Sequence, residues 1–304
     1  MKAGWWVGLA FVIGVGGLIF GLIENHPVSP STLKIAPRRH RSRSTRPAFA
    51  LSPAHPKTPT VQPAVPMPTN QKPLTILCIG DSLGEDLQYG LADLMGSNPA
   101  VHIVEAAVGS TGLANVAYYN WPLALSQELA RYHPQIVVVL LGGNDAVSFD
   151  QGPQYVPFGS PLWQADYGDR VARMMAEARQ AGAYVVWVGL PVMASFSVLS
   201  NTAMQALNAV YQDQARLHPG VVYVSSWTLF QNADGQFTEY LPDPAGQSLM
   251  VRDPDGVHIA PPAGNELIAS LVIQQINQHF GLSLCVSGQD PWQNFHLARC
   301  PTVP

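Results

Sequence analysis

Residues 74–84 read LTILCIGDSLG, an apolar run rich in strand formers that ends in Gly80-Asp81-Ser82-Leu83-Gly84. A run this short and this continuously apolar, closed by a glycine, is the pattern of a strand buried on both faces. Four further runs of the same kind lie at 101–106, 136–141, 184–190 and 221–224. Between and after them, apolar residues recur at helical spacing near 86–95, 123–132, 167–181, 202–217 and 264–279. Alternation of such strands with helices predicts an α/β domain over residues 73–281, built on a parallel sheet covered on both faces. In sheets of this type ligands bind beyond the carboxyl ends of the strands, which directs attention to the residues just after each run.

After the first run stands Ser82, with a helix expected to begin a few residues later. A serine on such a turn presents its hydroxyl at the sheet edge near helix N-terminal amides; the bland alternative is a helix cap. Neither a phosphate-loop lysine pattern nor the three-glycine dinucleotide fingerprint accompanies it. The second run leads into Ala107-Val108-Gly109-Ser110-Thr111-Gly112, where a glycine lets backbone approach a substrate. The third ends in Gly142-Gly143-Asn144-Asp145, so that the Asn144 amide can donate to a developing oxyanion, or simply serve a turn. Further on comes Arg252-Asp253-Pro254-Asp255-Gly256-Val257-His258. An acid three residues before a histidine can bond one imidazole nitrogen and leave the other as a base. Asp255 is the first choice for that acid and Asp253 its substitute.

These blocks, in this order, resemble the SGNH or GDSL-type hydrolases. Gly80-Asp81-Ser82-Leu83 resembles the nucleophile block, Gly142-Gly143-Asn144-Asp145 the Gly-x-Asn-Asp block, and Asp255-Gly256-Val257-His258 the Asp-x-x-His block. The resemblance covers about residues 74–280. It implies a flavodoxin-like three-layer α/β/α sandwich with five parallel strands in the order 2-1-3-4-5. It also implies a serine esterase with Ser82, Asp255 and His258 as catalytic residues and an oxyanion hole of Ser82, Gly109 and Asn144. The glycine block departs from the family pattern, since no asparagine precedes it, and Gly112 competes with Gly109 for the role. No metal or organic cofactor is implied.

Outside this domain the chain changes character. Residues 5–23 carry no charge and reach the length of a membrane span, with Lys2 before them and Trp5 and Trp6 at an interfacial position. Residues 1–24 are therefore expected to form an uncleaved transmembrane anchor; a cleavable signal peptide is the rival, without a small-x-small site to support it. Residues 25–72 are rich in Pro, Ser, Thr and Arg and read as a disordered linker. Its cluster Arg38, Arg39, Arg41, Arg43 and Arg46 can meet anionic lipid or polymer, or remain solvated. Charge counting alone would keep those arginines in the cytoplasm, so placing the domain in the periplasm, on the cell inner membrane, is a functional inference.

With a net charge of −4 the chain has no electrostatic reason to bind nucleic acid. Three cysteines cannot build a scaffold. Cys78 reads as a buried thiol, while Cys285 and Cys300, in the tail 282–304, can close a loop in an oxidising compartment, worth about 3 kcal/mol. A tethered domain suggests acyl esters, acetyl above all, on envelope polysaccharide or peptidoglycan. Acyl transfer to a polysaccharide and a non-catalytic polymer-binding or assembly role remain the alternatives. Trp121, Trp163, Phe196 and Trp227 are candidates for stacking on sugars or for packing.

Overall fold

The computed structural model describes residues 69, 72–287 and 292–300. The anchor and nearly all of the linker expected from the sequence lie outside the described residues. Among the described residues, no helix is long and apolar enough to cross a membrane.

Strand β1 (Leu74–Gly80) is followed by α1 (Ser82–Met95), β2 (Val101–Glu105), α2 (Trp121–Tyr132) and β3 (Ile136–Leu140). A hairpin of β4 (Phe149–Gln151) and β5 (Gln154–Val156) precedes α3 (Pro161–Gln180), β6 (Tyr184–Val188), α4 (Asn201–Leu217) and β7 (Val221–Val224). A second hairpin, β8 (Tyr240–Pro242) and β9 (Ser248–Met250), leads to the last helix, α5 (Ala263–Phe280). Five strands form a parallel sheet in the order β2-β1-β3-β6-β7, which is 2-1-3-4-5 when only sheet strands are counted. Helices flank it: α1 packs on α5, while α3 packs on both α2 and α4. The fold is the flavodoxin-like three-layer α/β/α sandwich.

Burial explains the sequence pattern. Ile76, Leu77, Ile79 and all of β3 are at most 2% exposed, as a central strand covered on both faces requires. Each such side chain contributes on the order of 2 kcal/mol through removal from water. The sheet also sets the register of the site. Gly80 pairs with Leu140, so β1 and β3 end side by side, at the point where the connections leave in opposite directions. A β-carbon at Gly80 would run into the Leu140 carbonyl oxygen, and only glycine permits that approach.

Three differences from the sequence-based expectation stand out, two at the starts of helices and one in elements the sequence does not announce. Helix α1 begins at Ser82 itself, because Asp81 serves as its N-cap and accepts from the Leu83 N–H. Helix α3 starts at Pro161, six residues before the expected Tyr167, with the Ser160 side chain capping it. The two hairpins have no counterpart in the sequence reading: each strand has three residues and most are exposed or half-exposed, so none carries an apolar signature. Cys285 and Cys300 form a disulfide, and Asn98 donates to the Cys285 carbonyl at 3.2 Å, tying the tail to the turn after α1. Cys78 is buried, and burial pushes its thiol far up, out of the range of a reactive thiolate.

Candidate active site

Ser82 stands at the first position of α1, where its backbone N–H has no partner within the helix. Its Oγ lies 2.9 Å from His258 Nε2, and His258 Nδ1 lies 2.6 Å from Asp255 Oδ2. The other carboxylate oxygen, Asp255 Oδ1, accepts from the N–H groups of Val257 and His258 at 2.8 and 3.0 Å. Gly256 has φ +76 and its α-carbon faces the Ala194 methyl, so a side chain there would both strain and clash. The loop thus presents acid and imidazole on one side of a tight turn. Asp253, the substitute for Asp255 on sequence grounds, instead uses its N–H to donate to the His258 carbonyl; its carboxylate is not the imidazole's partner.

The loop is held from beneath by Arg252, which is fully buried. Its guanidinium donates to the carbonyls of Val192, Val257 and His258 at 2.6, 2.7 and 3.1 Å and lies over the rings of Phe230 and Phe237. Burial lowers its pKa to about 10, still charged at neutral pH. From α1, one turn beyond Ser82, Asp86 accepts from the Ile259 N–H at 3.0 Å and ties the loop to the helix that carries the serine. Burial pushes the Asp86 carboxyl up to about 7.

Burial acts to lower the His258 pKa, but the hydrogen bond and charge of Asp255, with Asp86 and Asp253 behind it, outweigh that and raise it. Only the neutral imidazole can take a proton from serine, so the ascending limb of kcat/KM against pH should lie above the ordinary histidine value of about 6.5. In Asp86→Asn the amide oxygen still accepts from Ile259 while one raising charge disappears. The expected outcome is an ascending limb displaced toward lower pH with the melting temperature little changed; a pH–rate series on parent and variant checks it.

The carboxylate of Asp81 links the serine turn to the loop after β3. It accepts from Leu83, Gly142 and Gly143 N–H groups at 3.0, 2.8 and 2.8 Å and is wholly buried. Burial pushes its pKa up to about 6, an effect that the two glycine amides oppose and the nearby Asp145 reinforces. Asn144 comes directly after them and is exposed at the site; its amide nitrogen donates to the Thr111 carbonyl at 2.9 Å and keeps a second proton. Asp145, also buried, accepts from Leu113, Ala114 and the Tyr167 hydroxyl, which fixes the loop after β2.

That loop corrects the glycine assignment. The Gly109 N–H donates to Glu85 Oε1 at 2.8 Å and does not face the serine. Gly112 is buried, and a β-carbon there would collide with the Asp145 carboxylate. Neither glycine lines the cavity at Ser82. A residue between them does: Ser110, at φ +63, lines it with Ser82, Asn144 and His258, and among the described residues its N–H donates no hydrogen bond. Sequence reasoning passes over Ser110 because a serine carries no signal that its backbone adopts the left-handed conformation usual for glycine. It misses Arg252, Asp86 and Asp81 as well, because their roles are long-range contacts.

The cavity holds about 440 Å³. Trp121 and Trp163 are buried core residues and Phe196 is 66% exposed at the rim, so of these three a stacking role on sugars is open only to Phe196. Among the described residues no cluster of His, Cys, Asp and Glu has the makings of a metal site.

The parallel sheet carries a serine just beyond β1, an Asn loop beside it after β3 and an Asp-x-x-His loop opposite, the arrangement on which the resemblance to the GDSL-type, or SGNH, hydrolases rests. Residues 75–275 match the family described as "Protein of unknown function (DUF459)", and the chain belongs to that family. No curated protein matches the chain. Among solved structures, an acylhydrolase-type protein from Bacteroides fragilis is similar at 17% identity and a TM-score of 0.50, over 71% of this chain and 92% of that one. A GDSL-like lipase from Bacteroides thetaiotaomicron is similar at 15% identity and 0.49, over 70% and 92%. A carbohydrate esterase family 3 protein from Talaromyces cellulolyticus is similar at 15% identity and 0.46, over 68% and 98%. At these identities the likeness concerns the fold.

Proposed function

We propose that this protein is a serine esterase that hydrolyses acyl esters through an acyl-enzyme on Ser82. One observation carries the reading: an unbroken hydrogen-bonded relay from Ser82 Oγ through His258 to Asp255 at the ligand-binding edge of the sheet. Ser82 Oγ attacks the ester carbonyl while His258 Nε2 takes the hydroxyl proton. Asp255 holds the imidazole tautomer and stabilises its charged form. The tetrahedral carbon then expels the alcohol, which leaves with the proton from His258. Water, activated by the same imidazole, attacks the acyl-serine and releases the acid and free Ser82.

The oxyanion would be met by the N–H of Ser82, the free amide proton of Asn144 and the N–H of Ser110. Loss of one such donor costs about 3 kcal/mol in the barrier. Acyl transfer to a polysaccharide would use the same acyl-enzyme. Hydrolysis is favoured because the His258 and Asp255 side chains are 38% and 48% exposed, which leaves water free to reach the intermediate. A purely binding role gives no reason for a complete relay.

The envelope location and the N-terminal tether belong to the same proposal. The disulfide between Cys285 and Cys300 supports an oxidising compartment. The half-exposed His258 side leaves room for a bulky alcohol, as in a polymer.

The test is turnover of p-nitrophenyl acetate by the full chain and by His258→Ala. The parent should turn over the ester, and the variant should lose at least about 10³-fold, with partial recovery on adding imidazole. Turnover indifferent to His258 would rule the mechanism out.

A further inference from the structure

We infer that the site is built for esters of medium-length acyl chains, with Ala203 and Ala206 of α4 setting the length. This assignment rests on the esterase reading and departs from the acetyl ester expected from the sequence. A second cavity of about 780 Å³ adjoins the one at Ser82, and the two share Gly143, Asn144, Val198 and Leu199 as lining. They form one groove that starts at the nucleophile and runs past the oxyanion donors.

The chemistry fixes which part of the substrate enters it. His258 must protonate the leaving oxygen, so the alcohol lies on the side of His258, Val257 and Phe196, which line only the first cavity. The carbonyl oxygen points to Asn144 and Ser110. The remaining substituent of the tetrahedral carbon, the acyl chain, is directed away from His258 and into the second cavity.

Its walls suit a hydrocarbon. Ala146, Val147 and Phe158 line it from the loops after β3 and β5, Leu199 from just before α4, and Ala203 and Ala206 from its first turns; four polar side chains, Asn144, Gln164, Ser200 and Thr202, complete the lining and no charged residue does. Ala203 and Ala206 are three positions apart on one helix face, where small side chains leave the groove open. Val198, at the junction of the two cavities, is 95% exposed, and Val147, in the second, is 45% exposed, apolar surface that a bound chain would cover.

The experiment measures kcat/KM of the full chain for p-nitrophenyl acetate, butyrate and octanoate, and for octyl acetate. Values should rise about three- to fourfold per added acyl methylene over the lengths the groove holds. In Ala203→Phe and, separately, Ala206→Phe, the octanoate-to-acetate ratio should fall at least about tenfold. Both alanines are part-buried and Ala203 packs against the edge of the core, so a thermal melt of each variant accompanies the kinetics and Ala206→Phe carries the test if Ala203→Phe melts early. A flat or falling series in the parent, or ratios unchanged in both variants, overturns the inference while leaving the esterase reading intact. A length preference seen with octyl acetate instead assigns the groove to the alcohol and also overturns it. No turnover of any ester removes the esterase reading itself.

Discussion

Ser82→Ala is expected to abolish ester turnover, with kcat/KM reduced by at least about 10⁴-fold, while the protein melts within a few degrees of the parent. The first half follows from the loss of the attacking oxygen; what remains is the contribution of binding and oxyanion donors alone. The second half is specific to this fold. Ser82 occupies the first turn of α1, but Asp81 caps that helix, and among the described residues Ser82 Oγ bonds only His258. Alanine is therefore a good resident at that position, and nothing buried loses a partner. Kinetics on p-nitrophenyl acetate beside a thermal melt separates the two effects. A large fall in melting temperature would mean that the hydroxyl is structural.

Asp81→Asn should show the opposite balance, a loss of stability on the order of 3 kcal/mol accompanied by a loss of activity. The Asp81 carboxylate satisfies three buried N–H groups, one on Oδ1 and two on Oδ2. An asparagine offers one acceptor oxygen, and its amide nitrogen would have to face either Leu83 or the Gly142–Gly143 pair. Each buried donor left unsatisfied costs about 1–3 kcal/mol, and charge-assisted bonds sit at the upper end. If the Gly142–Gly143 side is lost, the next residue, Asn144, no longer has a fixed position relative to Ser82, so kcat should fall with stability. Thermal melts and kcat/KM on the same preparations check this. An unchanged melt with full activity would show that the carboxylate does not brace the two loops.

Much of this arrangement is legible in the residues themselves. Buried parallel strands must be continuously apolar, and LTILCIG and IVVVL announce themselves for that reason. Asp255 and His258 are legible because the pair is local: three residues and a glycine turn bring the carboxylate to the imidazole without help from elsewhere. The start of α3 is also written in the sequence. Ser160-Pro161 is a capping serine followed by a first-turn proline, a stronger boundary signal than the apolar spacing that begins at Tyr167.

What stays hidden depends on the third dimension. Asp81 meets Gly142 and Gly143 only because β1 and β3 are neighbours in register, and Arg252 meets Val192 only once the sheet is assembled. The loop after β2 illustrates the limit most clearly. Gly109 and Gly112 are the natural candidates because a left-handed or closely approached backbone usually needs a glycine, yet the residue facing the serine is Ser110 at φ +63. Glu85 occupies the Gly109 amide and Asp145 crowds Gly112, and neither contact has a sequence signature.

The central claim is that Ser82 is the nucleophile of a working relay, and covalent labelling tests it most directly. The full chain would be incubated with a fluorophosphonate, and the adduct located by mass spectrometry of the intact protein and its peptides. The account predicts one adduct on Ser82, absent in Ser82→Ala and slowed at least about a hundredfold in His258→Ala, since only the imidazole activates the hydroxyl. An adduct on another residue, or none on a preparation that still turns over p-nitrophenyl acetate, would contradict it.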